Sequence, residues 1–206
     1  MSHSNTMMKQ GSKPTGLLGK LIGSMMNRHH SRIYHWALEL VDLTGTLTTL
    51  DIGCGGGKAV QLLAARMPQS TVHGLDHSPE MVQLASHVNT KAIKKDRVQV
   101  HHGSVSSLPF EDDQLDLVTA FETIQFWSTL AQDLREIHRV LKPGGTLLIA
   151  NRYPNLEGKD AAWKDVLQVH SVDHYRELLT QAGFENMQPD TASRPGWIRL
   201  TAQKPA

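Results

Sequence analysis

The sequence predicts an α/β protein whose β-sheet is mostly parallel. Short apolar, β-branched segments alternate with segments whose apolar residues recur at helical spacing, from about residue 47 to residue 151. A glycine-rich turn at residues 51–57, DIGCGGG, joins the first of these strands directly to a helix-like segment. Alternating strands and helices favour parallel strands joined by right-handed crossovers.

The predicted elements follow one another in regular order. An apolar stripe over residues 33–43 indicates a helix before the first strand, and Ser78 and Pro79 are typical of a helix start. We expect strands near residues 47–52, 70–76, 97–102, 114–120 and 145–151, and helices near 57–67, 79–89 and 129–141. At the end of the chain we expect a helix at 172–182 and strands at 184–187 and 197–202.

Composition predicts one soluble domain without a metal site. With 206 residues, of which 39% are hydrophobic, the chain is long enough for one substantial core but too short for two. Cys54 is the single cysteine, so no internal disulfide can form. Because the sequence has no apolar leader or long membrane span, we expect a cytoplasmic location. Adjacent histidines at positions 101 and 102 would point to opposite faces of a strand, which argues against a metal site.

Charge is distributed unevenly along the chain. The first 38 residues contain five basic residues and no acidic ones, whereas the remainder has 16 basic and 20 acidic residues. The formal net charge of +1 predicts no general attraction to nucleic acid. Apolar residues between positions 17 and 26 recur at helical spacing, which is typical both of a membrane-surface helix and of a flap over a ligand. We expect residues 1–32 to form a basic, partly disordered flap and residues 33–206 to form the single domain.

The glycine-rich turn predicts a bound nucleoside. Missing Cβ atoms let a ligand approach the backbone, and the next strand ends in Asp76, whose carboxylate can accept hydrogen bonds from two ribose hydroxyls. Lys58 stands where a dinucleotide fingerprint needs glycine or alanine. Ile52 and Ala59 break the pattern of a Walker phosphate loop. Both of these nucleotide-binding motifs are therefore disfavoured.

Five motifs resemble those of class I S-adenosylmethionine-dependent methyltransferases, in that family's order. They are D-x-G-x-G-x-G at residues 51–57, DHSPEM at 76–81, GSV and LPF between 103 and 110, DLVTAFE at 116–122 and RVLKPGGTLLI at 139–149. The resemblance implies a Rossmann-like, doubly wound sheet of seven mostly parallel strands with a reversed C-terminal hairpin strand. It also implies S-adenosylmethionine as cofactor and S-adenosylhomocysteine as product.

The resemblance places the cofactor contacts at the carboxyl ends of the strands, where ligands of open α/β sheets bind. Asp51 would face the methionyl ammonium, Asp76 would hold the ribose, and His77 and Met81 would flank the adenine. Met81 is equally typical of a core methionine, and Ser104 stands where the family often has an acid. The predicted cofactor contacts are Asp51, Gly53, Cys54, Gly55, Asp76, His77, Met81, Gly103, Ser104, Val105, Ala120 and Phe121.

The implied chemistry is attack by a nucleophile on the methyl group of a sulfonium, in line with the departing sulfur. Alignment in a water-poor pocket supplies roughly 7–11 kcal/mol in well-oriented cases, so a catalytic residue is not required. If the acceptor needs a base, Glu122 is the candidate, although it could equally hold backbone or cofactor. Alternative bases are His29, His30, Tyr34 and His35.

The predicted acceptor is a small molecule. Cytosine C5 methylation needs a nucleophilic cysteine, whereas the single cysteine, Cys54, lies in the glycine-rich turn. A polymer substrate would need a basic groove, and the sequence indicates none. A noncatalytic nucleoside-binding module and a membrane-surface enzyme acting on a quinone or lipid stay open as alternatives. The sequence predicts neither the methylated atom nor the oligomeric state. The predicted acceptor pocket comprises Tyr34, Gln125, Phe126, Trp127 and Arg152.

Overall fold

The computed structural model describes residues 31–152, 167–168, 170–191 and 196–206. Most of the predicted flap, including the apolar stripe at 17–26 and the alternative bases His29 and His30, lies outside these residues. The proposed division at residue 32 therefore stays a prediction.

Six α-helices and seven strands occur in the described part of the chain. The helices are α1 Ser31–Ala37, α2 Lys58–Arg66, α3 Pro79–Val88, α4 Thr90–Ile93, α5 Leu130–Val140 and α6 Val172–Gln181. The strands are β1 Thr48–Ile52, β2 Thr71–Asp76, β3 Val98–His102, β4 Leu115–Phe121, β5 Leu141–Arg152, β6 Glu185–Asp190 and β7 Trp197–Gln203. Short 3-10 helices occupy Leu38–Leu40 and Ile124–Phe126. None of the helices in these ranges is long and apolar enough to cross a membrane.

The seven strands form one sheet in the order β3-β2-β1-β4-β5-β7-β6. The first five strands in this order are parallel, and β7 runs antiparallel to both β5 and β6. This confirms the predicted mixed sheet with a reversed hairpin. Since the chain moves outward from β1 in one direction and then crosses to β4 on its other side, the sheet has a switch point between these two strands.

Alternate residues of the strands feed two cores on opposite faces of the sheet. In β1, Leu50 and Ile52 belong to the first core, together with side chains of α5 and α6 such as Leu134 and Leu179. The second core lies under α1, α2 and α3 and includes Ile33 and Leu63. Residues between the first-core positions of β1, including the acid at its carboxyl end, therefore point to the second face.

Three element boundaries differ from the sequence prediction, and one of them is the end of β6, which was expected at residue 187 and lies at Asp190. The helical stripe was expected to reach residue 43, but α1 and its 3-10 turn end at Leu40 and Val41 is extended. Val41 and Leu43 lie on non-helical backbone and pack against the second core. Their apolar spacing therefore results from burial and does not indicate a helix. β5 begins four residues early because a register shift between Leu115 and Leu117 lets Leu141 pair with Leu115.

Candidate functional site

The glycine-rich turn is held open at the carboxyl end of β1. The backbone N–H groups of Gly53 and Cys54 both donate to the carbonyl of Leu75, at 2.8 and 3.0 Å. Gly53, Gly55 and Gly57 all have positive φ angles, of 67°, 50° and 78°. A Cβ atom at Gly55 would meet nothing within 4 Å, so this part of the turn borders open space. Such a turn brings backbone close to a ligand without side chains between them.

Gly57 has a different role, because it packs the start of α2 against α3. A Cβ atom there would lie 2.7 Å from the backbone of Ala85 in α3. Asn89 donates its amide to the carbonyls of Gly57 and Ala85, at 3.0 and 2.9 Å, and so fixes the same contact. The turn is thus anchored at one end and open in its middle.

Replacing Gly57 with alanine is expected to destabilise the fold by about 2–4 kcal/mol, since both the left-handed backbone and the clash with α3 oppose a side chain. The matched control is Gly45→Ala, because Gly45 has a φ of 80° but a Cβ atom there would meet nothing within 4 Å. Gly45→Ala should cost only the backbone term of about 1–2 kcal/mol. Denaturant unfolding measures both variants, and equal losses would contradict the packing role of Gly57.

Asp51 is a buried acid at the carboxyl end of β1. Its carboxylate accepts a hydrogen bond from the hydroxyl of Thr119 at 2.7 Å, and the two residues lie side by side on β1 and β4. Only 2% of the residue is exposed, and this burial, with a smaller contribution from Asp76, raises the pKa of Asp51 to about 7. An acid of this kind is well suited to receive a cation such as an ammonium group.

Asp76 closes the glycine-rich turn from β2. One carboxylate oxygen accepts from the N–H of Gly55 at 2.8 Å, and the other accepts from the N–H of Ser78 at 2.9 Å. A carboxylate has about four acceptor positions, so the two remaining ones can still bind a ribose diol. The Nδ1 atom of His77 lies 3.6 Å from this carboxylate, and half of the His77 side chain is exposed.

The predicted adenine contacts fall into exposed and buried groups. Gly103 donates its N–H to the carbonyl of Asp76 at 3.1 Å, which places the end of β3 beside Asp76. Ser104 is exposed, and its hydroxyl accepts from the N–H of Ser106. Val105 packs in the first core and Met81 is 2% exposed, so both side chains are buried.

The segment between β3 and β4 is held by charged residues of α5, which the sequence analysis did not identify. Asp133 accepts from the hydroxyl of Ser106 at 2.6 Å, and Glu136 accepts from the N–H of Leu108 at 2.8 Å. Arg139 donates to the carbonyl of Phe110 at 2.9 Å. The amphipathic pattern of α5 predicted its apolar face only, because hydrogen bonds to distant backbone leave no periodic signal.

The candidate base Glu122 forms an ion pair with Arg152 at the ends of β4 and β5, in which the Glu122 side chain is buried and the Arg152 side chain is exposed. Its carboxylate accepts from the N–H of Arg152 at 2.8 Å and from the Arg152 guanidinium at 3.1 to 3.2 Å. Burial raises the pKa of Glu122, and the Arg152 charge and hydrogen bonds oppose this rise. Glu122 also has a φ of 57°, a conformation that non-glycine residues rarely adopt.

The other predicted pocket residues lie around the same strand ends. The Tyr34 ring, from α1, packs at 5.1 Å from the Phe121 ring, and burial and the nearby acids Asp51 and Glu122 raise its pKa. The buried Gln125 amide donates to the carbonyl of Glu122 at 3.3 Å.

Some of the predicted side chains face inward. Trp127 and Ala120 pack in the first core, and Cys54 packs in the second core near Gly74. Phe126 is half-buried. Burial in a core does not support a ligand-lining role for the side chains of Trp127, Ala120 and Cys54, and their assignment to the site stays a prediction.

The described residues offer no metal-binding group, and a further cavity lies away from this site. No group of three or more His, Cys, Asp and Glu side chains there could hold a metal ion. A cavity of about 420 Å³ lies at the amino ends of the strands, on the opposite edge of the sheet. Two of its charged residues, Asp116 and Lys142, pair with each other at 2.8 Å, and the third, Asp42, accepts from the N–H of Thr44.

Comparison with known proteins agrees with the fold and the motifs. The family described as "Methyltransferase domain" matches residues 50–149. Demethylmenaquinone methyltransferase of Listeria monocytogenes is 30% identical over 174 residues, which cover 79% of this chain and 70% of the relative. The 27-O-demethylrifamycin SV methyltransferase of Amycolatopsis mediterranei is 31% identical over 163 residues, or 73% of this chain, but the chain spans only 59% of that protein.

Solved structures of other proteins share this fold. A chain of the complex between the Haloferax volcanii Trm112 methyltransferase activator and a methyltransferase superposes with a TM-score of 0.77 at 23% identity, over 100% of this chain and 99% of that one. The [4+2]-cyclase SpnF superposes with a TM-score of 0.71 at 25% identity, over 85% and 80% of the two chains. With the seven-stranded sheet, the glycine-rich turn and these relatives, the chain belongs to the class I S-adenosylmethionine-dependent methyltransferases.

Proposed function

We propose that this protein transfers the methyl group of S-adenosylmethionine to a small-molecule acceptor. The observation that carries the proposal is the pair of acids at neighbouring strand ends, Asp51 and Asp76, on either side of the open turn at Gly55. One acid is buried and suited to an ammonium, and the other retains acceptor positions for a sugar diol. The chain's own residues therefore fit the chemical groups of the cofactor.

The bound cofactor would supply an electrophilic methyl group on a sulfonium. The acceptor nucleophile would form a bond to this methyl carbon as the carbon–sulfur bond breaks, with a neutral thioether and the acceptor proton as the released products. Asp51 and the glycine-rich turn would orient the methionyl end, and Tyr34 and Phe121 would exclude water from the second face of the sheet. Orientation and exclusion of water are the main contributions that such a displacement needs.

Glu122 is expected to position the ends of β4 and β5 rather than to take the proton. Its carboxylate is already engaged by Arg152, and proton acceptance would require this ion pair to open. Glu122→Gln should therefore lower kcat by less than about tenfold and leave the shape of the pH–rate profile unchanged, because glutamine can still accept from Arg152. A general base typically contributes 10²–10⁴-fold, so a loss of that size together with a lost acidic limb would assign Glu122 as the base instead.

The test of methyl transfer uses labelled cofactor and a panel of acceptors. Wild-type protein is incubated with S-adenosyl[methyl-³H]methionine and with catechol, 1,4-naphthohydroquinone, benzylamine or a short carboxylic acid. We expect label in at least one small-molecule product and none with Asp76→Ala. Labelling of added nucleic acid but of no small molecule would contradict the proposed acceptor class.

A noncatalytic nucleoside-binding role is the second candidate, since the contacts of Asp51 and Asp76 would hold the cofactor whether or not methyl transfer follows. It predicts tight binding of S-adenosylhomocysteine with no transfer to any acceptor. The membrane-surface alternative predicts vesicle binding that disappears when residues 1–30 are removed. The cytoplasmic location stays a proposal, to be tested by fractionation of cells that express the chain.

A further inference from the structure

Gly53, the first glycine of the glycine-rich turn, faces Thr123 and not open space. A Cβ atom at Gly53 would overlap with the hydroxyl of Thr123 and would lie 2.7 Å from the Thr123 Cβ atom. At Gly55, in contrast, a Cβ atom would meet nothing within 4 Å. The two glycines therefore leave room for different partners, Gly53 for a side chain of the protein itself and Gly55 for a ligand.

Thr123 lies where the chain borders the switch point of the sheet. β1 and β4 are neighbours, and Ile52 pairs with Ala120 at their carboxyl ends. Gly53 directly follows the first of these residues, and Thr123 comes three positions after the second. The contact of Gly53 with Thr123 thus joins the turn after β1 to the loop after β4, at the edge where open α/β sheets bind their ligands.

The loop after β4 carries two residues of the predicted acceptor pocket. It forms a 3-10 turn in which the N–H of Phe126 donates to the carbonyl of Thr123 at 2.9 Å. The Gln125 amide donates to the carbonyl of Glu122 at 3.3 Å, and the Gln125 carbonyl accepts from the N–H of Gln168 at 2.9 Å. Because these bonds tie the loop together, a shift of Thr123 would displace Gln125 and Phe126 as well.

We propose that Thr123 is a positioning residue that aligns the acceptor side of the site with the cofactor turn. Its contact with Gly53 fixes the distance between the two loops. In-line methyl transfer depends on such a distance, because a misplacement of about 1 Å can cost on the order of 100-fold in rate. The inference rests on the proposed function and names the contact through which the two halves of the site are coupled.

A double-mutant cycle on the binding of S-adenosylhomocysteine tests this coupling. Gly53→Ala should weaken binding by about tenfold or more, because the new methyl group displaces either Thr123 or the turn. Thr123→Gly should bind within about threefold of wild type, and so should the double variant, in which the space for the methyl group is free. Titration calorimetry measures the four dissociation constants. If Gly53→Ala alone does not fold, a folded double variant with this affinity supports the inference equally.

Gly55→Ala is the matched control for Gly53→Ala. Gly55 also has a positive φ angle, of 50° against 67° at Gly53, but its new methyl group would enter the open part of the turn and meet no protein atom. Gly55→Ala should therefore weaken binding of S-adenosylhomocysteine through the ligand, and adding Thr123→Gly should not restore the affinity.

Turnover separates a positioning role from a structural one. For whichever of catechol, 1,4-naphthohydroquinone or benzylamine the wild type methylates, Thr123→Gly should lower kcat by about tenfold or more, although its affinity for S-adenosylhomocysteine is kept. Thr123→Ser should restore most of this loss, because the serine hydroxyl can keep the contact with Gly53.

Any of three results would overturn the inference. The first is a double variant whose melting temperature recovers but whose affinity does not, because the contact would then be structural only. The second is equal rescue of Gly53→Ala and Gly55→Ala by Thr123→Gly, and the third is a kcat for Thr123→Gly within twofold of wild type. If the wild type binds S-adenosylhomocysteine but methylates none of the three compounds, the binding cycle alone decides. If it does not bind S-adenosylhomocysteine, the proposed function itself fails.

Discussion

Asp76→Ala is expected to weaken the binding of S-adenosylhomocysteine on the order of 100-fold or more. The variant loses two charge-assisted hydrogen bonds to the ribose, each worth about 1.5–3 kcal/mol. It also releases the N–H of Gly55, which Asp76 holds at 2.8 Å and which forms part of the open turn. Titration calorimetry of the folded variant measures this loss directly.

Asp42→Ala is the matched control for this substitution. Asp42 accepts from the N–H of Thr44 at 2.9 Å, the same two-residue spacing and distance as the bond from Ser78 to Asp76. It lies on an exposed turn before β1, on the opposite edge of the sheet from the site. Asp42→Ala should bind with wild-type affinity, and an Asp76→Ala variant that also does so would show that Asp76 does not hold the ribose.

Cofactor affinity is expected to fall as the pH is lowered below about 7. In the ligand-free protein, burial raises the pKa of Asp51 to about 7, so the carboxyl group becomes protonated below that pH. A bound ammonium favours the charged carboxylate and lowers its pKa, so binding must release a proton in acid. The dissociation constant should therefore increase, approaching tenfold for each pH unit below 7.

Two variants distinguish the ionisation of Asp51 from the ionisation of other groups as the cause of the pH dependence. Asp51→Asn cannot ionise and should bind weakly with no pH dependence between pH 5.5 and 8. Thr119→Val removes the hydrogen bond that lowers the pKa of Asp51, so the midpoint of the dependence should move to higher pH. Equal affinity of the wild type at pH 5.5 and pH 8 would rule out contact between Asp51 and the ammonium.

Affinity is a better probe of Asp51 than thermal stability, because a second buried group acts with opposite sign. The pKa of Asp51 is raised on folding, so its contribution to stability is full below its ordinary value of 3.8 and is lost as the pH rises through about 7. The pKa of His73 is lowered by burial to about 4 from 6.5, so its contribution is present above 6.5 and is lost as the pH falls towards 4. The two effects overlap between pH 4 and pH 6.5.

Most of the sheet could be predicted from the sequence, because strands such as β1, β4 and β7 are short, mostly buried segments bounded by a turn signal. The start of α3 was also predictable, since the Ser78 hydroxyl accepts from the N–H of Met81 as a cap should. Helix α4 and the 3-10 turn at Ile124–Phe126 were not predicted, because segments of three or four residues carry no periodic pattern.

The candidate site was likewise only partly predictable from the sequence. The positions of Asp51, Asp76 and the glycines at this edge of the sheet could be predicted, because they depend on place after a strand and on backbone conformation, which motifs record; their roles towards the cofactor stay predictions. The pairing of Glu122 with Arg152 was missed, since the two residues lie 30 positions apart and meet only when β4 and β5 align. The positioning of residues 104–110 by α5 was missed for the same reason.

The most direct test of the central claim is a calorimetric titration of the wild-type protein with S-adenosylhomocysteine at pH 8. If the open turn at Gly55 and the acids Asp51 and Asp76 form the cofactor site, we expect one site per chain with a dissociation constant in the micromolar range. Absence of binding at several hundred micromolar ligand would contradict the assignment of this edge of the sheet as a cofactor site.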